Sequence, residues 1–191
     1  MQWGNSGYAM TAMTQARQLF LMRHAEAEFD GASDHERPLS MHGRVQARSV
    51  GQEMRAAGSI PGLVLCSSAL RTRMTLDALL TQWEGLKGDK PPVQVTDALY
   101  QVRPRHVVEI LNGLAGDPPS VLLIGHEPTI STLTALLASP DSDATALHTA
   151  KAGFVTGALG VLDVATSWSQ LRPGGANLKS VQRPTPGLTP H

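Results

Sequence analysis

Short, uninterrupted apolar segments recur along this chain, and they constrain its fold more than any other feature. Segments 19–22, 63–66 and 121–125 are of strand length and contain almost no polar residue. Strands that are buried on both faces of a parallel sheet have this pattern. A short 93–95 segment is a further strand candidate, and 154–164 and 167–171 are predicted as closing strands.

The segments between these strands place their apolar residues at helical spacing. One helix is predicted from an N-cap at Ser40 to a stop at Gly58, and others contain 76–83 and 107–114 or begin near Pro128. Strands that alternate with amphipathic helices predict an α/β domain with a mainly parallel sheet.

The balance of charge excludes some classes of partner. The 191 residues include 16 Lys and Arg and 16 Asp and Glu, so the formal net charge is zero. Proteins that bind nucleic acids or anionic membranes in general depend on an excess of positive charge, so neither partner is expected. The single cysteine, Cys66, excludes an intramolecular disulfide.

Composition along the chain predicts three parts. Residues 1–16 are expected to be a disordered extension, 17–171 the folded domain, and 172–191 a Pro/Gly-rich flexible tail. The N-terminal segment lacks the features of a secretory signal, and the apolar stretch 152–165 is too short to span a bilayer. We therefore expect a cytoplasmic protein, and no pattern of heptads or long exposed edges argues against a monomer.

Cationic side chains follow three of the predicted strands. Arg23 and His24 end the first, Arg71 lies just beyond the second, and His126 follows the 121–125 strand immediately before a helix. In open α/β sheets, ligands bind beyond the carboxyl ends of the strands. Two arginines and two histidines at one such edge predict an anionic ligand with several oxygens, most naturally a phosphoryl group.

The chain resembles the histidine phosphatase (phosphoglycerate-mutase-like) superfamily and, within it, the small phosphohistidine phosphatases of the SixA type. Five motifs carry the resemblance: LMRHAEA at 21–27, RPLSMHG at 37–43, SSALRTRMT at 67–75, VLLIGHEP at 121–128 and TAKAG at 149–153. The resemblance implies a three-layer α/β/α sandwich with a mainly parallel central sheet. It also implies a phosphatase, a hydrolase that acts on phosphoryl groups.

The resemblance further implies roles for five residues. His24 matches the nucleophile that becomes a covalent phosphohistidine, and His126 matches the second histidine that donates to the phosphate. Arg23, Arg37 and Arg71 match the arginines that bind the phosphate oxygens. These cations would supply the charge stabilisation that phosphoryl transfer needs, so no metal and no cofactor is expected.

The resemblance leaves the general acid without a clear match. Glu127 resembles the acid of a related branch and is the candidate here, with Asp97 a weaker one. A carboxylate at Glu127 would also be expected to raise the pKa of His126. A protonated imidazole leaves without the help that an alkoxide requires, so a weak acid favours phosphohistidine, carried on a partner protein, as the substrate.

Other interpretations remain open at this stage. The same residues could serve a small-molecule phosphomonoester phosphatase or a non-catalytic phosphate-binding module. A cysteine-dependent phosphatase is disfavoured, because Arg71 follows Cys66 after four residues instead of five and the loop has no glycine. Ser67 and Ser68 would contact the phosphate or cap the helix. The remaining single histidines are interpreted as structural or surface residues: His35, His42, His106 and His148.

Overall fold

Six strands form one mixed sheet in the computed structural model, which describes residues 16–85 and 90–185. The spatial order is β3-β2-β4-β1-β5-β6, in which the first four strands are parallel and the last two antiparallel to their neighbours. The strands are β1 Arg17–Arg23, β2 Leu63–Ser67, β3 Val93–Thr96, β4 Ser120–Gly125, β5 Leu159–Val164 and β6 Ala176–Gln182.

Within the described residues, five α-helices cover the two faces of the sheet. They are α1 Met41–Ala56, α2 Leu70–Gln82, α3 Pro104–Asn112, α4 Thr129–Leu137 and α5 Ala144–Ala152. The predicted ends of the first helix are confirmed. The Ser40 side chain accepts a hydrogen bond from the Gly43 amide, and Gly58 follows the helix at φ +66°, a conformation that glycine adopts without steric strain.

The side chains of β1 point alternately to the two faces of the sheet, and both faces are covered by apolar cores. Leu19 and Leu21 pack into the core under α3, α4 and α5, whereas Phe20 and Met22 pack into the core under α1 and α2. Strands β2 and β4 alternate in the same way. The expected three-layer α/β/α sandwich with a mainly parallel sheet is therefore confirmed.

A close backbone contact joins α1 to the loop that follows β1. A Cβ atom at Gly43 would lie 2.0 Å from the carbonyl oxygen of Glu26, so only glycine fits at this position. The Ser40 hydroxyl also donates to the Glu26 carboxylate at 2.7 Å, and Ala27 pairs with Leu39 in an isolated bridge. The motifs at 21–27 and 37–43 are thus packed against each other.

The expectation of a flexible tail from residue 172 onward is wrong for 176–182. These residues form β6, which pairs antiparallel with β5, and the amides of Ser139 and Asp143 donate to the carbonyls of Ala176 and Leu178. Only Ala176 and Leu178 of this strand are fully buried. Backbone pairing on both sides supplies the stability that the sparse apolar composition did not suggest.

The closing strands were also predicted in the wrong places. Within 154–164, only Leu159–Val164 is a strand, and 167–171 contains a 3-10 helix, Trp168–Gln170. Trp168 is buried in the core, and its indole N–H donates to the carbonyl of Pro118 at 2.7 Å. The predicted extension at 1–15 and the end of the tail at 186–191 lie outside the described residues. No helix in the described part of the chain is both long and apolar enough to cross a membrane.

Candidate active site

Three neighbouring strands bring the predicted site residues to one edge of the sheet. Arg23 ends β1 and His24 follows it, Arg71 lies in the first turn of the helix after β2, and His126 follows β4. The ring centroids of His24 and His126 are 5.3 Å apart. The prediction that these cationic side chains converge is confirmed by their placement.

The backbone of His24 is fixed from both sides. Its amide donates to the carbonyl of Gly125 at 3.0 Å, and its carbonyl accepts from the amide of Gly157 at 3.0 Å. The amide of Arg23 donates to the carbonyl of Ala158 at 3.1 Å. The hydrogen bonding of β1 thus continues past its last residue, and it holds in place the backbone that carries the His24 ring.

The His24 ring has one nitrogen engaged and one available. Its Nδ1 lies 2.7 Å from the carbonyl oxygen of Ala25. A carbonyl only accepts, so Nδ1 carries the hydrogen and the neutral ring has its lone pair on Nε2. Burial, together with the charges of Arg71, Arg23 and Arg37, lowers the pKa of His24 to about 4. The ring is therefore neutral at ordinary pH, as a nucleophile must be.

His126 is held by one nitrogen and is unpartnered at the other. Its Nε2 lies 2.8 Å from the hydroxyl of Ser67, whereas its Nδ1 is buried without a hydrogen-bond partner. Within the described ranges, the one other buried side-chain nitrogen or oxygen without a partner is Nε of Arg23. Buried polar atoms normally have partners, so two unpartnered nitrogens at one site point to a polar ligand.

The expected effect of Glu127 on His126 is wrong. Burial, followed by the charges of His24 and Arg71, lowers the pKa of His126 to about 3, and Glu127 is not among the groups that shift it. The Glu127 carboxylate instead accepts from the amide and the hydroxyl of Ser131. Glu127 therefore caps the first turn of α4, and its role as an acid stays a prediction.

Arg71 and Arg37 are both paired with Asp34, a residue that sequence analysis missed. Arg71 is buried and donates to the carbonyl oxygen of Asp34 at 2.5 Å and to its carboxylate at 3.0 Å. Arg37 donates to the other carboxylate oxygen at 3.1 Å, and the hydroxyl of Tyr100 donates to the carboxylate at 2.8 Å. The hydrogen bond from Tyr100, with those from Arg37 and Arg71, lowers the pKa of Asp34 to about 2.

Arg23 is oriented by a different part of the chain. Its Nη1 donates to the carbonyl of Phe154 at 2.5 Å, just beyond the motif at 149–153. Burial lowers the pKa of the Arg23 guanidinium, although that guanidinium remains a cation at ordinary pH. The motif at the end of α5 thus positions one of the predicted phosphate-binding arginines.

His35 was interpreted as a structural or surface residue, but it lies beside the site. Its Nε2 is 2.8 Å from the hydroxyl of Ser68, and its ring packs edge-on against Tyr100. Tyr100 in turn packs edge-on against His126, with ring centroids 5.6 Å apart. His35 and Tyr100 lie in loops without periodicity, where sequence offers no signal for a particular residue.

The alternative based on Cys66 is excluded by its environment. The thiol is fully buried, and burial raises its pKa to about 12. A cysteine nucleophile needs the opposite shift, toward the thiolate. Cys66 is a core residue that packs with Val64 and Ile124.

A cleft of about 530 Å³ opens beside His126. The residues that line it include Asp34, Tyr100, Arg103, Glu127 and Thr129. The described residues contain no group of three or more histidine, cysteine, aspartate or glutamate side chains placed to hold a metal ion. The cleft gives a substrate a route to His126 from the surface.

Known proteins share this architecture and its sequence motifs. The family model for the histidine phosphatase superfamily (branch 1) matches residues 19–103. The uncharacterized protein Rv1276c of Mycobacterium tuberculosis is 36% identical over 159 residues, which are 82% of this chain and 96% of that protein.

Solved structures of SixA proteins are also similar to this chain. One is a structure from Nakamurella multipartitia assigned to phosphohistidine phosphatase SixA, whose sequence is 33% identical to this chain. The two structures superpose with a TM-score of 0.77, and the match covers 88% of this chain and 96% of the other. A protein histidine phosphatase SixA complexed with tungstate is 25% identical with a TM-score of 0.69, covering 87% of this chain and 97% of that one. The chain therefore belongs to the histidine phosphatase superfamily and is a phosphatase of the SixA type.

Proposed function

We propose that this protein is a protein phosphohistidine phosphatase that works through a covalent phosphohistidine on Nε2 of His24. The observation that carries the proposal is the hydrogen bond from Nδ1 of His24 to the carbonyl of Ala25. It leaves Nε2 of a neutral imidazole as the free nucleophile. The tungstate complex of a similar SixA protein supports an oxyanion-binding site in this fold.

The phosphoryl group would be bound by the cations around His24. Nε of Arg23 and Nδ1 of His126 are buried and have no hydrogen-bond partner among the described residues. Nε of Arg23 can donate to a phosphate oxygen, and so can Nδ1 of His126 when it carries the ring proton. Arg71 and Arg37 add positive charge, which stabilises the charge on the equatorial oxygens in the transition state. A dianionic phosphoryl group beside His126 also opposes the fall in its pKa.

The first chemical step forms one P–N bond and breaks another. Nε2 of His24 attacks phosphorus, and the electron pair of the substrate P–N bond returns to the departing nitrogen. The phosphorylated His24 ring keeps its proton on Nδ1, because the Ala25 carbonyl accepts from it. Water then attacks phosphorus and the P–Nε2 bond breaks. The electron pair of that bond stays on Nε2, so His24 returns to the neutral imidazole from which it started.

A labelled phosphoenzyme provides the test of this proposal. The wild-type protein, mixed with a ³²P-phosphohistidine peptide and quenched in alkali, should carry label that is stable to alkali and lost in mild acid. His24→Ala should carry none while keeping its fold, and His42→Ala, at an exposed histidine on α1, should label like the wild type. Label on a well-folded His24→Ala variant would overturn the mechanism.

Substrate class needs a separate comparison. Hydrolysis of the phosphohistidine peptide, an aryl phosphate and a sugar phosphate should be measured side by side, and the peptide should have the highest kcat/KM. Faster hydrolysis of the sugar phosphate would favour a small-molecule phosphatase with the same covalent mechanism. Phosphate binding without turnover of any of the three would favour a binding module.

A further inference from the structure

We infer that Asp34 is a specificity residue for nitrogen-linked phosphoryl groups, accepting a hydrogen bond from the ring N–H of the departing histidine. This inference rests on the proposed function, and it assigns a role on the substrate side of the reaction. In a phosphohistidine, the second ring nitrogen has to be protonated if imidazole is to leave as a neutral molecule. A fixed carboxylate beside that nitrogen favours the protonated form.

The position of Asp34 places it where a leaving group would lie. It borders the cleft together with Tyr100 and His126, whose rings are in edge-on contact. The Tyr100 hydroxyl donates to the Asp34 carboxylate at 2.8 Å, and Arg71 donates to the same oxygen at 3.0 Å. The carboxylate therefore lies at the border of the cleft, next to Arg71 and to the Tyr100 ring that packs against His126.

The hydrogen bonds of Asp34 leave it one open position. A carboxylate can accept about four hydrogen bonds. Asp34 accepts one at Oδ1, from Arg37, and two at Oδ2, from Arg71 and Tyr100. Its side chain is still 52% exposed. The open lone pair on Oδ1 is therefore accessible to a donor in the cleft.

The charge of Asp34 also argues for a role in selecting substrates. Three donors keep it ionised, so it weakens the positive field that phosphate binding would otherwise use. That is unfavourable for a substrate whose leaving group is anionic. It is favourable for a phosphohistidine whose second ring nitrogen is protonated, because that ring is positively charged until it leaves as neutral imidazole. The carbonyl of Ala25 makes the matching contact on the enzyme side, since it accepts from the distal N–H of His24.

The reaction balances without proton transfer to Asp34. The P–Nε2 bond to His24 forms, the P–N bond of the substrate breaks, and its electron pair stays on the departing nitrogen. The substrate ring keeps its distal proton throughout, hydrogen-bonded to Oδ1 of Asp34, and leaves neutral. Asp34 therefore acts by hydrogen bonding and charge alone.

The test compares Asp34→Asn with Glu36→Gln, an exposed acid in the same loop that accepts from Ser33. Phosphoenzyme formation and breakdown should be measured in single turnovers with a phosphohistidine peptide and with p-nitrophenyl phosphate. For Asp34→Asn, we expect formation from the peptide to slow about 10- to 100-fold, the effect of losing a charge-assisted hydrogen bond. Formation from the aryl phosphate should be unchanged or faster, and Glu36→Gln should match the wild type with both substrates.

The breakdown rate separates specificity from structural damage. Breakdown of the phosphoenzyme does not involve the leaving group, so Asp34→Asn should leave it within about twofold of the wild type. Equal slowing of formation with both substrates, together with slower breakdown, would show that Asp34 only orients Arg71 and would overturn the inference. The wild-type phosphoenzyme tests the proposed function, whereas the ratio between substrates in Asp34→Asn tests this inference, so the two can fail separately.

Discussion

The hydroxyl of Ser67 and Nε2 of His126 lie 2.8 Å apart, joining the end of β2 to the residue that follows β4. Ser67 is fully buried, so this contact is shielded from water. It fixes the ring of His126 and leaves Nδ1 as the nitrogen available to a ligand. Ser67, the last residue of β2, therefore contacts His126, whereas Ser68, the next residue, contacts His35.

Replacing Ser67 tests the importance of that contact. Ser67→Ala removes the partner of His126, so we expect kcat/KM for an aryl phosphate to fall about 2- to 10-fold, as for one lost neutral hydrogen bond. Ser68→Ala is the matched control, because its hydroxyl contacts His35 instead, and it should have the smaller effect. A larger loss in Ser68→Ala would contradict the assignment of Ser67 as the positioning residue.

The pKa of His24 can be measured by NMR on protein with labelled histidine. We expect the His24 ring to titrate with a pKa of about 4 because burial disfavours its charged form. A lowered pKa keeps the ring neutral, so activity should persist as the pH falls from about 6.5 to 5, where an ordinary histidine becomes protonated. His24→Ala identifies the resonance. Titration near the ordinary histidine value would contradict the predicted neutral nucleophile.

Glu127→Gln tests the remaining candidate for a general acid. Gln can still accept from the Ser131 amide, so the cap of α4 should persist. We expect hydrolysis of phosphohistidine to change little. An alkyl phosphate should slow by about 100-fold or more if Glu127 protonates its leaving oxygen. Single-turnover rates distinguish a slower chemical step from weaker substrate binding. An equal, large loss of the single-turnover rate with both substrates would contradict the idea that P–N cleavage needs no acid.

The role of β6 in the fold predicts that two neighbouring residues of this strand contribute differently to the free energy of unfolding. Leu178 is fully buried in the core under α3, α4 and α5, whereas Lys179 is exposed. Leu178→Ala should lower the free energy of unfolding by about 2–5 kcal/mol, and Lys179→Ala should change it by less than about 0.5 kcal/mol. Urea denaturation measures both. Equal, small effects would mean that 176–182 adds little to the stability of the domain.

Inhibitors test the proposal that arginines and histidines supply the charge stabilisation. Vanadate, which adopts the geometry of the transition state, should inhibit hydrolysis of an aryl phosphate and prevent labelling of His24. EDTA should leave the rate unchanged. Loss of activity in EDTA that a divalent ion restores would contradict the expectation of a metal-independent reaction.

The sequence predicted the residues at strand ends because their positions follow from periodicity. His24 and His126 lie next to uninterrupted apolar strands, and any parallel sheet would bring such residues to one edge. Asp34 and Tyr100 could not be found in this way. They lie in irregular connections, and their meeting with Arg71 depends on tertiary contacts between loops far apart in the chain.

The errors near the end of the chain have a physical cause too. Composition identifies strands by their apolar residues, but β6 buries few side chains and is held by backbone pairing with β5 and with 139–143. Trp168, by contrast, looked like part of a strand because it is large and apolar. It packs in the core from a 3-10 turn, where its indole N–H donates to the carbonyl of Pro118.

The division of the site between strand ends and loops has a consequence for engineering. The two histidines directly follow strands of the sheet and Arg71 lies in the first turn of α2, whereas Asp34 and Tyr100 lie in the connections around 30–36 and 97–103. Loops tolerate substitution far better than the scaffold that carries them. A combinatorial library confined to those two connections, with Arg71 and the histidines left unchanged, could therefore be selected for new leaving groups while the residues proposed to carry the covalent chemistry stay the same.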